Sequence, residues 1–155
     1  MPIRKYEFQI YADYYQFYLE DENSPHETDK VWDSEGTAYN RMLGVGEGLI
    51  AVGTARYETV SVSVELHDSE PVLELEKYSR VNECSLQVKS GKLLISGCLE
   101  YLPDAARIAI EPSNYWVRVL YGNLETVKDD WEGEDFYVLQ LWKEAEVREI
   151  STLKS

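Results

Sequence analysis

The sequence predicts a mostly β fold: an antiparallel β-sandwich with one short helix, in a single domain over residues 1–155. Three observations lead there. The dominant hydrophobic period is two residues, the spacing of a strand with one buried face. The periodic stretches are short and divided by turn-forming residues, as in two packed sheets. Only one stretch has apolar residues at helical spacing. A chain of 155 residues is of ordinary single-domain length and can bury a core without disulfides or metals.

Residues 6–11 and 14–19 open the chain as aromatic strand candidates. Tyr11, Tyr15, Phe17 and Leu19 share one face, and Tyr14, Gln16 and Tyr18 the other. One face must be buried. The other is either buried as well or presents tyrosines beside Glu20, Asp21 and Glu22. Residues 34–43 depart from the period of two: Asp33 or Ser34 can cap a helix carrying Ala38, Tyr39, Met42 and Leu43, which Gly44 would stop. Residues 49–57 follow as a strand. Residues 59–66 alternate most cleanly, with Val60, Val62, Val64 and Leu66 opposite Thr59, Ser61, Ser63 and Glu65. Shorter candidates are 72–75, 84–88, 93–98 and 107–110. Residues 115–121 set Tyr115, Val117, Val119 and Tyr121 against Trp116, Arg118 and Leu120; residues 136–142 set Phe136, Val138, Gln140 and Trp142 against Tyr137, Leu139 and Leu141. Turn signals divide them, among them Asn23-Ser24-Pro25, Ser90-Gly91, Pro103-Asp104 and Gly122-Asn123.

The motifs that could carry chemistry mostly have plainer readings. Gly44-Val45-Gly46-Glu47-Gly48 is rich enough in glycine for a phosphate loop, but it follows a helix and precedes a strand, and Glu47 would repel phosphate. A helix stop and a tight approach to the next strand explains it better. Cys84 and Cys98 flank an expected hairpin turning at Ser90-Gly91-Lys92. If Lys89 pairs with Leu93, the two cysteines face each other; a shift of one residue puts them on opposite faces. Buried, reduced cysteines are the default reading. His26 and His67 are too few for a structural zinc site and stand beside no nucleophile motif. No cofactor, metal or catalytic residue is implied. Calcium or another small ligand remains an alternative for the loop at 129–135, because sandwich loops can gather oxygen ligands without a fixed spacing.

Charge is the strongest clue to partners. The formal net charge is −14, from 29 Asp+Glu against 15 Lys+Arg. Such a surface repels nucleic acid and anionic membranes. It suits a basic protein partner, or it serves solubility alone. The acid concentrates in two segments: Glu20-Asp21-Glu22 running on to Glu35, and Asp129-Asp130-Trp131-Glu132-Gly133-Glu134-Asp135. Carboxylates can stand in for phosphates, and tyrosines add contact area and cation–π attraction for Lys and Arg. The expected partner-binding residues are therefore Tyr14, Tyr18, Glu20, Asp21 and Glu22, with Asp129, Asp130, Glu132, Glu134 and Asp135 as a second patch. The N-terminus lacks the apolar run of a secretory signal, and the cysteine usage fits a reducing compartment, so a cytoplasmic location is expected.

Several of these stretches also carry a family likeness. Tyr14-Tyr15-Gln16-Phe17, Trp32-Asp33-Ser34-Glu35, Gly48-Leu49-Ile50-Ala51-Val52, Tyr115-Trp116-Val117-Arg118-Val119 and Asp135-Phe136-Tyr137-Val138 with Leu141-Trp142 follow one another in an order that resembles the bacterial competence protein J group and related bacterial proteins. That group is associated with inhibition of the nuclease that acts as DNA enters the cell. The resemblance implies a non-catalytic inhibitor, with no catalytic residues to carry over.

Overall fold

The computed structural model describes residues 2–155. Eleven strands form two sheets. The first sheet holds six strands in the order β1 (Arg4–Tyr11), β5 (Thr59–Leu66), β10 (Phe136–Lys143), β9 (Ser113–Gly122), β6 (Arg80–Val88) and β11 (Ser151–Lys154). The second holds five, in the order β3 (Leu43–Gly46), β4 (Leu49–Gly53), β2 (Gln16–Asp21), β7 (Lys92–Gly97) and β8 (Ala106–Ala109). Pairing is antiparallel except between β5 and β10. The fold is a mostly antiparallel β-sandwich with one short helix, α1 (Thr37–Arg41).

The core lies between the sheets. Val60, Val62, Val64 and Leu66 of β5 point into it, as their alternation predicts. They meet Val117, Val119 and Tyr121 of β9, Leu139 and Leu141 of β10, and Phe17 and Leu19 from the facing sheet. A second, smaller cluster sits on the outer face of the five-stranded sheet, where Val31 and Trp32 cover Tyr18, Leu49 and Ala51. Gly44 permits that cover: a Cβ there would stand 2.7 Å from the Val31 carbonyl oxygen. The glycine-rich stretch is thus the β3–β4 hairpin under a strap of chain, not a phosphate loop.

Five expectations need correction. Residues 14–19 are not one strand. A 3-10 turn at Asp13–Tyr15 carries the chain from one sheet to the other, so Tyr14 and Tyr18 do not share a face. The strand at 49–57 ends at Gly53. Residues 72–75 pair with no strand; Val72 is 88% exposed, while Leu73 packs on the Val81, Leu120 and Val138 cluster. α1 is shorter than expected, and Met42, with φ 64°, ends it before Gly44. Ser90-Gly91 turns no hairpin. It is a corner between β6 and β7, which belong to different sheets, so Cys84 and Cys98 cannot face each other across a ladder. Cys84 is buried, and its thiol is pushed up to about 12 by that burial; Cys98 is half-buried, its Sγ 3.2 Å from the Tyr18 hydroxyl oxygen.

Candidate functional site

The turn between β1 and β2 builds one end of the sandwich. Asp13 is buried and its carboxylate accepts the Cys98 and Leu99 amides at 2.9 and 3.1 Å. That anchor holds the crossing while Tyr14 and Tyr15 adopt φ of 56° and 59°. A left-handed conformation costs a non-glycine residue about 1 kcal/mol, and this one turns two large side chains toward solvent: Tyr14 is 57% and Tyr15 45% exposed. Behind them stands Tyr57. Its ring meets Tyr11, Tyr14 and Tyr15 edge-on at centroid distances of 5.8, 5.6 and 5.5 Å. Edge-to-face contact suits the aromatic quadrupole.

The 129–135 loop joins this cluster through Asp130. One carboxylate oxygen accepts the Tyr15 hydroxyl at 3.1 Å and the other the Tyr57 amide at 3.2 Å. The bond to Asp130 raises the Tyr15 phenol above its ordinary pKa, because ionising it would set two negative charges together. The rest of the loop is held by its own polar atoms. Asp129 accepts the Trp131 and Glu132 amides, both at 2.8 Å. The Glu134 amide donates to the Thr126 hydroxyl at 2.8 Å. Asp135 is buried, accepting from Arg56 Nε at 2.6 Å and from the Tyr137 hydroxyl at 2.7 Å. Tyr137 in turn accepts the Ala55 amide at 2.8 Å. What remains outside is Asp129, Glu132, Glu134 and Trp131, the last 80% exposed. The result is an exposed tyrosine cluster bordered by fixed carboxylates.

The fold is similar to that of ComJ. This inhibitor of the DNA-degrading activity of NucA, from Bacillus subtilis, superposes with a TM-score of 0.68 over 93% of this chain and 98% of ComJ, at 17% identity. The product of crocagin biosynthetic gene J is similar too, with a TM-score of 0.63, 17% identity, and coverage of 91% of this chain and 97% of that one. No family model and no curated protein matches the sequence.

Within this ComJ-like fold, the ten expected partner-binding residues separate. Tyr14 and Asp130 meet at the tyrosine end through Tyr57 and Tyr15, and Asp129, Glu132 and Glu134 are exposed on the loop that Asp130 fastens there. Glu20, Asp21 and Glu22 lie at the other end of β2, roughly 17 Å along the strand. Their carboxylates are occupied within the fold. Glu20 is buried and bonds the His26 ring at 2.8 Å. Asp21 is buried and accepts the Ser90 amide at 3.1 Å. Glu22 is exposed but pairs with Arg107 Nε at 2.8 Å. Tyr18 is 1% exposed beneath the Val31–Trp32 strap, and Asp135 is the buried partner of Arg56. Burial therefore removes Tyr18, Glu20, Asp21 and Asp135 from any contact surface. Tyr57, Tyr15 and Arg56 were not foreseen. The signal available was Asp13, a residue that favours turns, standing between the strand candidates at 6–11 and 14–19.

The calcium alternative fares poorly on the same geometry. Among the described residues, no group of three or more His, Cys, Asp or Glu side chains converges to hold a cation. Asp129, Asp130 and Asp135 are each turned to a different set of protein donors.

Proposed function

We propose that the protein is a non-catalytic inhibitor that docks a basic nuclease or similar toxin through its tyrosine end. The observation that carries this reading is Asp130, which locks an acidic loop onto an exposed tyrosine cluster. Tyr11, Tyr14 and Tyr15 supply rigid aromatic area, of the kind that dominates binding energy at interfaces. Asp129, Glu132 and Glu134 supply the charge that meets Lys and Arg in a cleft built for phosphate. The shared fold of ComJ, an inhibitor of a DNA-degrading activity, supports the same role. Glu20, Asp21 and Glu22 take no part in it.

The test is DNA degradation by a basic nuclease, NucA first, with and without the purified protein. Protection is expected at low salt and should weaken as salt rises, since exposed charges are screened. It should be lost when Asp129, Asp130, Glu132 and Glu134 are changed together to Asn or Gln. Undiminished protection by that variant, or no protection by the native chain, overturns the reading.

A further inference from the structure

Beside the tyrosine end lies a cavity of about 680 Å³, within the size range of small-ligand sites. Tyr14, Tyr15, Trp32 and Tyr39 form much of its wall. Gln16 fixes that wall in advance. Its side-chain oxygen accepts the Trp32 indole N–H at 2.9 Å and the Tyr18 hydroxyl at 2.7 Å, while its amide donates to the Tyr14 carbonyl at 3.2 Å. Backbone strain gathers here as well. Of the five non-glycine residues with positive φ among the described residues, three line this cavity: Tyr14, Tyr15 and Met42. Strain of this kind persists where the surrounding structure holds a site in shape.

The charge of the lining is unexpected for a chain of net charge −14. No Asp or Glu lines the cavity, and Arg80 is its one charged residue. Arg80 makes no ion pair among the described residues, whereas Arg56, Arg107, Arg118 and Arg148 all do. Its Nε is buried without a hydrogen-bond partner. A buried donor left unpaired costs about 1–3 kcal/mol; this nitrogen is closed to solvent, so Arg80 faces the cavity with other atoms of its side chain. Arg41, outside the lining, donates from its Nε to the Leu43 carbonyl at 2.8 Å. Both guanidinium groups act to lower the Tyr121 phenol, against the larger upward effect of burial.

We propose that this cavity binds a small anion carried on an aromatic ring, the ring stacking among Trp32 and the tyrosines and the anionic group accepting from Arg80. An aromatic cage alone would favour a cation. The unpaired Arg80 reverses that preference, since guanidinium binds carboxylate or phosphate through several aligned donors. The inference stands apart from the nuclease reading and survives its failure.

Three probes on one ring decide the matter: indole-3-acetate, indole-3-acetamide and tryptamine, each titrated against the purified full chain by ligand-observed NMR and calorimetry. The expected order of affinity is acetate, then acetamide, then tryptamine. Arg80→Gln should weaken indole-3-acetate about tenfold and leave indole-3-acetamide nearly unchanged. Trp32→Leu should weaken the acetate and the acetamide together. The order measured on the native protein decides even if a variant fails to fold. Tighter binding of tryptamine, binding by none of the three, or an unchanged acetate preference in Arg80→Gln overturns the proposal.

Discussion

Glu20-Asp21-Glu22 and the 129–135 loop, with three and five carboxylates, sit at opposite ends of β2, and the fold uses them differently. At the first, each carboxylate closes a contact: Glu20 to His26, Asp21 to Ser90, Glu22 to Arg107. At the second, Asp135 and Asp130 fasten the loop inward, while Asp129, Glu132 and Glu134 keep their charge in solvent. Acid content therefore does not mark a binding surface by itself. What distinguishes the two ends is the neighbour. One strand end is roofed by a strap of chain, and the other ends in a left-handed turn that turns its tyrosines outward.

The sharpest way to break this comparison is at Asp135, a loop carboxylate that acts as structure. Its side chain is 0% exposed and that of Arg56 11%. Asp135→Ala leaves the guanidinium buried without a counter-charge and should cost about 3 kcal/mol, read as a lower midpoint in denaturant unfolding. Changing Arg56 to Met and Asp135 to Leu together should recover much of the loss. A single variant as stable as the native chain would mean that the loop is not anchored there.

Asp21 comes next, at the other end. Asp21→Ala strands the Ser90 amide, while the Ser90 hydroxyl keeps the Lys92 carbonyl as an acceptor, and should cost about 1–2 kcal/mol. Inhibition of a nuclease, measured where the variant is still folded, should not change. Reduced inhibition would bring this end back into the interface.

These assignments were only partly legible in the sequence. β5 follows from alternation, because a strand with one buried face must repeat every two residues; β9 and β10 are buried on both faces and are legible instead as short, largely apolar runs between turn signals. The crossing at Asp13 does not follow, because period-two spacing looks the same whether the chain continues in one sheet or changes to the other. Tyr18 was misread for that reason, and also because its cover, Val31 and Trp32, comes from a loop with no period at all. The Ser90-Gly91 corner fails similarly: a turn signal says that the chain bends, not which sheet it enters. Tyr57 could not have been singled out, since its role depends on three other tyrosines meeting it in space.

Alkali separates the two ends by cause. Tyr18 is raised chiefly by burial, Tyr15 chiefly by its bond to Asp130. Asp130→Asn should bring the Tyr15 phenol down toward its usual value and leave Tyr18 alone, as followed by NMR titration of the tyrosine rings. The core adds a stability effect. Burial pushes Tyr115 up to about 12 and raises Tyr121 and Tyr137 as well. Their folded state favours the neutral phenol. The stability they lend is complete below about pH 10, the unfolded value, and is lost as pH rises through the folded values. Denaturant midpoints should hold to about pH 9 and fall steadily above about pH 10. A midpoint unchanged at about pH 12 would contradict the burial of these rings.

The smallest effect on stability belongs to the residues that matter most for the proposed function. Asp129, Glu132 and Glu134 are exposed. The changes Glu132→Gln and Glu134→Gln remove charge from side chains that complete no buried network, so each should move stability by less than about 0.5 kcal/mol. Asp129→Asn keeps an oxygen that can accept the Trp131 and Glu132 amides and should behave alike. Each should nonetheless slow association with a basic partner, because the charge at the rim of an interface acts mainly on the rate of encounter. The same changes at the far end, such as Glu22→Gln, should slow it less, since a distance beyond the Debye length of about 8 Å screens that charge from the docking face. Stopped-flow association rates at low salt would rank the four variants. If Glu22→Gln slows binding as much as Glu132→Gln, the field of the whole molecule steers the partner and the tyrosine end has no special claim.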